Sequence, residues 1–322
     1  KSLNFATLKI KDAIVDRLRD VTGDRPSIDT AFPDVRVQAH LTATQVTIYL
    51  DTSGEALFKR GWRDEKGDAP LKENLAAGIL SITAWKPGQT LFDPMCGSGT
   101  FLIEAAQIAL AIPPGAIRAG MYGDDVKPSR LAYRPLVTSA HGFGFQRLKP
   151  FNDAAEQKRW ADLKEAALAL MLEKRKQFPS VDSLKITGGD INEKLVSMFR
   201  GNWQRAQLPD QPLVRQVDAL ASKPPVNVKE GVMLLNPPYG ERLNIEMERF
   251  YREIGDTMKQ NYPGTNAWFI TANLEALKFV GLKPSRKIKL FNASLEARLV
   301  KYEMYEGSKR TKFQIASDTD KE

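Results

Sequence analysis

Along the first sixty or so residues the apolar positions change period once. From Phe5 to Arg19, Leu8, Ile10, Ile14, Val15 and Leu18 recur roughly at helical spacing and "GDRPS" ends the run, which predicts a helix and a turn. The next stretch alternates instead. Val35, Val37, Ala39 and Leu41, then Val46, Ile48 and Leu50, with "TAT" between, predict two strands facing one core. Together these make a small α+β unit.

After "FKRGWRDEKGD", a charged link carrying glycines, "APLKENLAAGILSITAW" predicts a helix opened by Pro70 and closed near "KPG". Apolar runs then alternate with helical patterns: "TLFD", "GTFLIEAAQIALAI", "SLKIT", "NEKLVSMFRGNWQRA", "PLVRQV", "GVMLL", "MERFYREIGDTMKQ" and "AWFITA". Such a succession implies an α/β domain with a mostly parallel sheet and helices on both faces. At the end, "RKIKLF" and "EARLVKYEMY" flank "NASL" too closely for a crossover helix, so they predict an antiparallel hairpin.

The expected boundaries are a module over 1–62, a second domain over 63–306 and a polar, flexible tail over 307–322. The second domain carries an insertion over 113–180. A helix within it, about Asp153 to Lys176, shows an apolar face of Trp160, Leu163, Ala167, Leu170 and Met171, and its charged face reads as solvated.

Composition narrows the chemistry. The single cysteine, Cys96, rules out an intramolecular disulfide framework, and His40 and His141 stand far apart with no second ligand type beside them, so no zinc site is expected. No secretory signal and no apolar span long enough for a bilayer is visible, which predicts a soluble, cytoplasmic protein without a membrane partner. The chain starts at Lys1 without Met, and its opening reads as the middle of a longer protein. The net charge of +8 suggests a polyanionic partner. From Lys283 to Lys312 nine Lys/Arg face three Asp/Glu, against ten and eight from Lys1 to Arg63, so a basic surface is expected at the C-terminal end.

"LFDPMCGSGTFLIEAA" places a strand, a glycine turn and a helix in succession, the geometry of nucleotide-type binding at a strand's carboxyl end. A phosphate-binding P-loop would need a lysine after its second glycine, but Thr100 and Phe101 follow Gly99. A dinucleotide loop would need a small third residue where Leu102 stands. S-adenosylmethionine carries no phosphate, so a loop of small residues with an acidic neighbour and no cation suits it. Asp93, Pro94, Cys96, Gly97, Ser98, Gly99 and Thr100 are of that kind, with Asp93 able to face the ligand's ammonium group. A plain glycine-capped turn is the structural alternative. Asp190 in "ITGGDIN", followed by Ile191, could accept from a ribose, and Asp218 in "RQVDAL" from an adenine amine; either could equally be a helix or turn cap. Cys96 fits small-residue packing better than a nucleophile's role.

"LLNPPYGERL" follows an apolar strand. An exocyclic base amine is a poor nucleophile because its lone pair is delocalised into the ring. The Asn236 side-chain carbonyl and the Pro237 backbone carbonyl could accept its two N–H bonds and aim the lone pair at a methyl donor. The prolines fix the carbonyl directions, and Tyr239 offers a face for an extruded base. The methylated amine turns acidic, so no histidine base is required. The bland alternative is a Pro-Pro turn after a buried strand. Candidate catalytic residues are thus Asn236, Pro237, Pro238 and Tyr239, with Asn236 also counted in the cofactor set.

The segments "APLKENLAAGIL", "LFDPMCGSGTFLIEAA", "GGDIN", "NPPYGERL" and "NASLEARL" resemble the THUMP-containing class I RNA methyltransferases, most closely the bacterial 23S rRNA guanine-N2 methyltransferases of the RlmL type. The first segment is similar to the C-terminal half of their THUMP module. The resemblance runs from Asn4 to Tyr305. It implies a Rossmann-like class I methyltransferase sheet with a reversed C-terminal hairpin, a partial THUMP-like RNA-binding module, S-adenosylmethionine as donor and RNA as partner. The chain departs from that pattern with Ala293 where the family usually has Gly and Ala297 where it usually has Cys, which bears on the hairpin's geometry. The same Asn-Pro-Pro-Tyr motif serves adenine-N6 methyltransferases, and a non-catalytic RNA-binding or ribosome-assembly factor is a further alternative. Fused members with a second methyltransferase exist; a single-headed form is expected here.

Overall fold

The structure, a computed structural model, describes residues 2–30, 33–63, 71–121, 142–208, 212–223, 231–237 and 245–305. In chain order the elements are α1 (Leu3–Thr22), β1 (Val37–Leu41), β2 (Val46–Leu50), α2 (Glu73–Thr83), β3 (Leu91–Asp93), α3 (Thr100–Ala109), α4 (Ala154–Gln177), α5 (Val181–Leu184), β4 (Ile186–Asp190), α6 (Glu193–Arg205), β5 (Val214–Gln216), β6 (Val232–Leu235), α7 (Ile245–Asn261), β7 (Asn266–Thr271), β8 (Arg286–Asn292) and β9 (Leu295–Glu303). Among the described residues they fall into two units, one built from residues up to 56 and from 142–162, the other from 57 onward and from 163–305.

In the first unit β1 and β2 pair antiparallel, Val37 opposite Leu50 and Leu41 opposite Val46. The expected strands form, but not the expected core. Every residue of both strands is exposed, and Val15 is the buried residue of α1. A two-stranded ribbon with one helix lacks the cover that a buried face needs. Residues 142–162, expected in the insertion of the second domain, join this unit instead. Gly144 N donates to Ser53 O at 3.1 Å and Phe145 N to Thr52 O at 2.7 Å. Trp160 meets Phe143 and Phe145 edge-on, at 5.7 and 5.2 Å between ring centroids. The two units part at 56–57.

In the second unit seven strands run in the order β5-β4-β3-β6-β7-β9-β8. The first five are parallel; β9 is antiparallel to both β7 and β8. Apolar runs without polar alternation mark the central strands because both faces are covered. Leu91, Leu234, Trp268 and Ile270 pack with Ile79, Phe101, Leu102, Phe199 and Trp203 on one face. Phe92, Met233, Leu235 and Phe269 pack with Tyr251, Ile254, Met258 and Tyr262 on the other. The expected hairpin is β8–β9. Ala293, in its turn, takes a left-handed φ of 58°, a conformation that glycine adopts without strain.

Three local expectations shift. The helix expected to open at Pro70 begins at Glu73, with Lys72 as its cap; Pro70 lies outside the described residues. The strand expected at "SLKIT" begins at Ile186 and runs on through Gly188 and Gly189 to Asp190. On α4, Trp160 and Met171 turn inward as expected, whereas Leu163 and Leu170 stay exposed and Leu168 packs near Met171 in their stead. The tail over 307–322 and His141 also lie outside the described residues.

Candidate active site

From β3 the chain steps outward through β4 to β5, then returns to the other side of β3 as β6. The strand order therefore reverses at the adjacent pair β3 and β6, and such a switch point, at the carboxyl ends of the strands, is where open α/β sheets bind ligands. Asp93 ends β3, Asp190 ends β4, and Asn236 with Pro237 follows β6, so all sit at the carboxyl edge of the parallel strands.

The glycine loop is tied down from below. Gly97 and Gly99 both take left-handed backbone angles, φ 54° and 87°. A Cβ on Gly99 would lie 2.1 Å from the Phe199 ring, so this glycine is required twice over, by conformation and by space. Gly97 N donates to Asp190 Oδ2 at 2.9 Å, and Cys96 N to Gly189 O at 2.8 Å. Gly188 explains the large residue at the loop's third position. A Cβ there would come within 2.7 Å of Leu102 Cδ1, so the room that a dinucleotide loop obtains from a glycine on its helix is supplied here by the neighbouring strand.

Asp93 is 1% exposed and accepts from Met95 N at 3.1 Å. Burial pushes its carboxyl up to about 8, with the negative charge of Asp190 adding to the rise and the Met95 hydrogen bond opposing it. A carboxyl so placed ionises readily only when a cation comes to it. Burial, followed by the charges of Asp93 and Asp190, also pushes the Cys96 thiol well above its ordinary value. That agrees with packing and opposes a thiolate nucleophile.

Asp190 serves the loop rather than the helix after it. Its Oδ1 accepts from Asn192 N at 2.9 Å, and the cap of α6 is Asn192, whose side chain accepts from Lys194 N. Ile191 is exposed beside it. Asp218 stands beyond β5, exposed, with Oδ1 accepting from Leu220 N at 2.9 Å, so one oxygen is committed to a turn. Pro94 and Pro237 are buried and Asn236 is half-buried. Pro238 and Tyr239 lie outside the described residues. Among the described residues no group of three His, Cys, Asp or Glu could hold a metal, and no helix is long and apolar enough to cross a membrane.

Sequence reasoning missed two residues that hold the loop. Arg63 reaches Ser98 Oγ and Thr100 Oγ1 at 2.9 and 2.8 Å, and Asn202 Nδ2 reaches Ser98 O at 3.0 Å. Thr100, expected at the cofactor, thus already accepts at its hydroxyl oxygen from an arginine. Arg63 was hidden among the charges of the link; the adjacent Trp62, fully buried, was the available signal.

Comparison with known proteins agrees with this architecture. The RMKL-like methyltransferase domain matches residues 60–301 and the THUMP domain residues 1–51. Ribosomal RNA large subunit methyltransferase K/L of Shewanella amazonensis is 35% identical over 309 residues, 95% of this chain and 39% of that protein. The chain thus spans about two fifths of that relative. The "Putative RNA methyltransferase slr0064" of Synechocystis sp. is 33% identical over 306 residues, covering 94% of this chain and 70% of that protein. Among solved structures, SMU.472 complexed with SAH superimposes with a TM-score of 0.69 at 30% identity, covering 92% of this chain and 70% of that one. A "predicted N6-adenine-specific DNA methylase" from Listeria monocytogenes gives 0.71 at 28%, covering 94% and 70%. The chain therefore belongs to the RMKL-like methyltransferase domain family, with a THUMP domain at its N-terminal end.

Proposed function

We propose that this chain transfers a methyl group from S-adenosyl-L-methionine to an exocyclic amine of RNA, guanine N2 of 23S rRNA in particular. The observation that carries the reading is the pairing, across one crevice, of a phosphate-free glycine loop bordered by buried carboxyls with the Asn236–Pro237 edge of β6. In this reading Asp93, Pro94, Cys96, Gly97, Gly99, Thr100, Asp190, Ile191, Asp218 and Asn236 form the cofactor site. S-adenosylmethionine supplies an activated methyl on a sulfonium; the rest is done by this chain's residues.

Asp93 meets the cofactor's ammonium as a carboxylate, and Asp190 takes ribose hydroxyls while holding Gly97. Thr100 Oγ1 accepts from Arg63, which leaves its O–H and its backbone N–H to face the cofactor. Asn236 and the Pro237 carbonyl orient the amine, Pro238 stiffens the turn, and Tyr239 stacks on the base. Held there, the cofactor would supply its methyl to the amine nitrogen, whose surplus proton would pass to solvent.

The THUMP domain and the large-subunit rRNA named for the K/L relatives favour RNA and rRNA. The outward face of the β8 edge carries Lys287, Lys289 and the exposed Phe291, with Lys289 paired to Glu296 and lying over the Phe291 ring, and would offer RNA a basic surface. Guanine N2 rests on the resemblance to guanine-N2 methyltransferases. Adenine N6 is the competing reading, favoured by the Listeria monocytogenes neighbour's description. Digesting RNA methylated by the purified protein to nucleosides decides between them: N2-methylguanosine is expected, and N6-methyladenosine would overturn the choice of base. No transfer to any RNA would favour an assembly factor.

A further inference from the structure

The segment entering the second unit is stitched to the glycine loop by a closed ring of hydrogen bonds. Arg63 uses all three guanidinium nitrogens. Nε donates to Glu73 Oε1 at 2.9 Å, Nη1 to Ser98 Oγ at 2.9 Å, and Nη2 to Thr100 Oγ1 at 2.8 Å, with Leu71 O a longer partner at 3.4 Å. The ring of Trp62 lies 4.8 Å from its Cζ. From the opposite side Asn202 holds the Ser98 carbonyl, Arg205 Nη2 donates to Asn202 Oδ1 at 2.6 Å, and Arg205 Nε donates to Trp62 O at 2.8 Å. The ring runs from Arg63 to Ser98, Asn202, Arg205 and Trp62, and so returns to Arg63.

Ser98 is therefore gripped by side chain and backbone, at the residue between two glycines that both hold left-handed angles. Glycines have the most conformational freedom to lose, so a loop of this composition keeps one shape only if something outside it enforces that shape. Arg63 and Glu73 are nearly enclosed, their side chains 12% and 6% exposed, so the enforcing bonds compete little with water.

We propose that Arg63 is a positioning residue for the cofactor loop: it touches neither cofactor nor substrate, and it sets cofactor affinity by pre-shaping Cys96–Thr100. The inference rests on the reading of that loop as the S-adenosylmethionine site. Arg60 provides an internal control. Three residues earlier in the same segment, it makes a buried pair with Glu104 through Nε and Nη2, at 3.1 and 3.2 Å, and reaches no residue of the loop. Lysine cannot replace the fork of Arg63, because one ammonium cannot meet Glu73 and two hydroxyls in the same plane.

The test is calorimetric titration of the full chain with S-adenosylhomocysteine, together with steady-state methyl transfer. Wild type, Arg63→Lys, the pair Arg63→Gln/Glu73→Gln and the pair Arg60→Gln/Glu104→Gln are compared. Both pairs remove two opposite charges together, so neither leaves a buried ion alone, and the first keeps the test valid should Arg63→Lys fail to fold. We expect the Kd for the ligand to rise about tenfold in both Arg63 variants, the loss of one charge-assisted bond's worth of pre-shaping. Turnover at saturating cofactor and the KM for RNA stay within about twofold of wild type, and the Arg60 pair leaves the Kd unchanged. Unchanged affinity in the Arg63 variants, or an equal loss in the Arg60 pair, overturns the positioning role. Failure of the wild type to bind would instead overturn the reading of the loop.

Discussion

β2 and β6 are alike as sequence, "VTIYL" and "VMLL", and opposite as structure. Every residue of β2 is exposed and every residue of β6 is buried. Among the described residues β2 pairs with β1 alone, whereas β6 lies between β3 and β7 with packed side chains on both faces. Apolar character thus says that a strand forms; its neighbours decide whether that strand is held. The first unit offers a surface, and the second holds a rigid edge from which loops can present chemistry.

The sharpest way to break this contrast is to remove an apolar side chain from each unit. Phe269→Ala on β7, fully buried, should cost about 4 kcal/mol in denaturant unfolding, while Ile48→Ala on β2 should cost under about 1 kcal/mol. Equal losses would mean that the first unit's strands are covered in solution.

A second prediction concerns the edge itself. The folded pKa of Asp93, about 8, lies above its ordinary value of 3.8, so the ligand-free fold loses stability as pH rises through that interval. A cationic ligand that binds the ionised form must displace the proton. Cofactor affinity should therefore climb about tenfold per pH unit up to about pH 8 and fall again as the ligand's ammonium loses its proton. Asp93→Asn should bind weakly with a profile flat up to about pH 8, and a wild-type profile flat over that range would remove the ammonium contact from the account.

The smallest effect is expected at the turn of the β8–β9 hairpin. Ala293 holds a φ of 58°, so Ala293→Gly should stabilise the second unit by about 1 kcal/mol. No gain in thermal unfolding would place the turn in another conformation.

The second unit was legible because β6 and β7 carry apolar runs and its loop residues are scarce types in a fixed order. Asp93, Asp190 and Asn236 fall at strand ends as expected. What escaped depends on partners distant in sequence. Gly188 and Gly189 lie within a strand, and the neighbours that need their missing side chains, Leu102 and Val217, are far away in sequence. Arg63 read as one charge among many because Ser98 and Thr100 are 35 and 37 residues away. The exposure of β1 and β2 was equally invisible, since alternation marks a face without saying what covers it.

The central claim is that Asn236 presents the amine. Asn236→Ala, given tritiated S-adenosylmethionine and unmethylated 23S rRNA, measures it directly when cofactor binding is followed in the same preparation. The account predicts that the variant still binds cofactor while methyl transfer falls by a factor of about 100 or more, as expected when a positioning contact to the reacting group is lost. Turnover at the wild-type rate would contradict it.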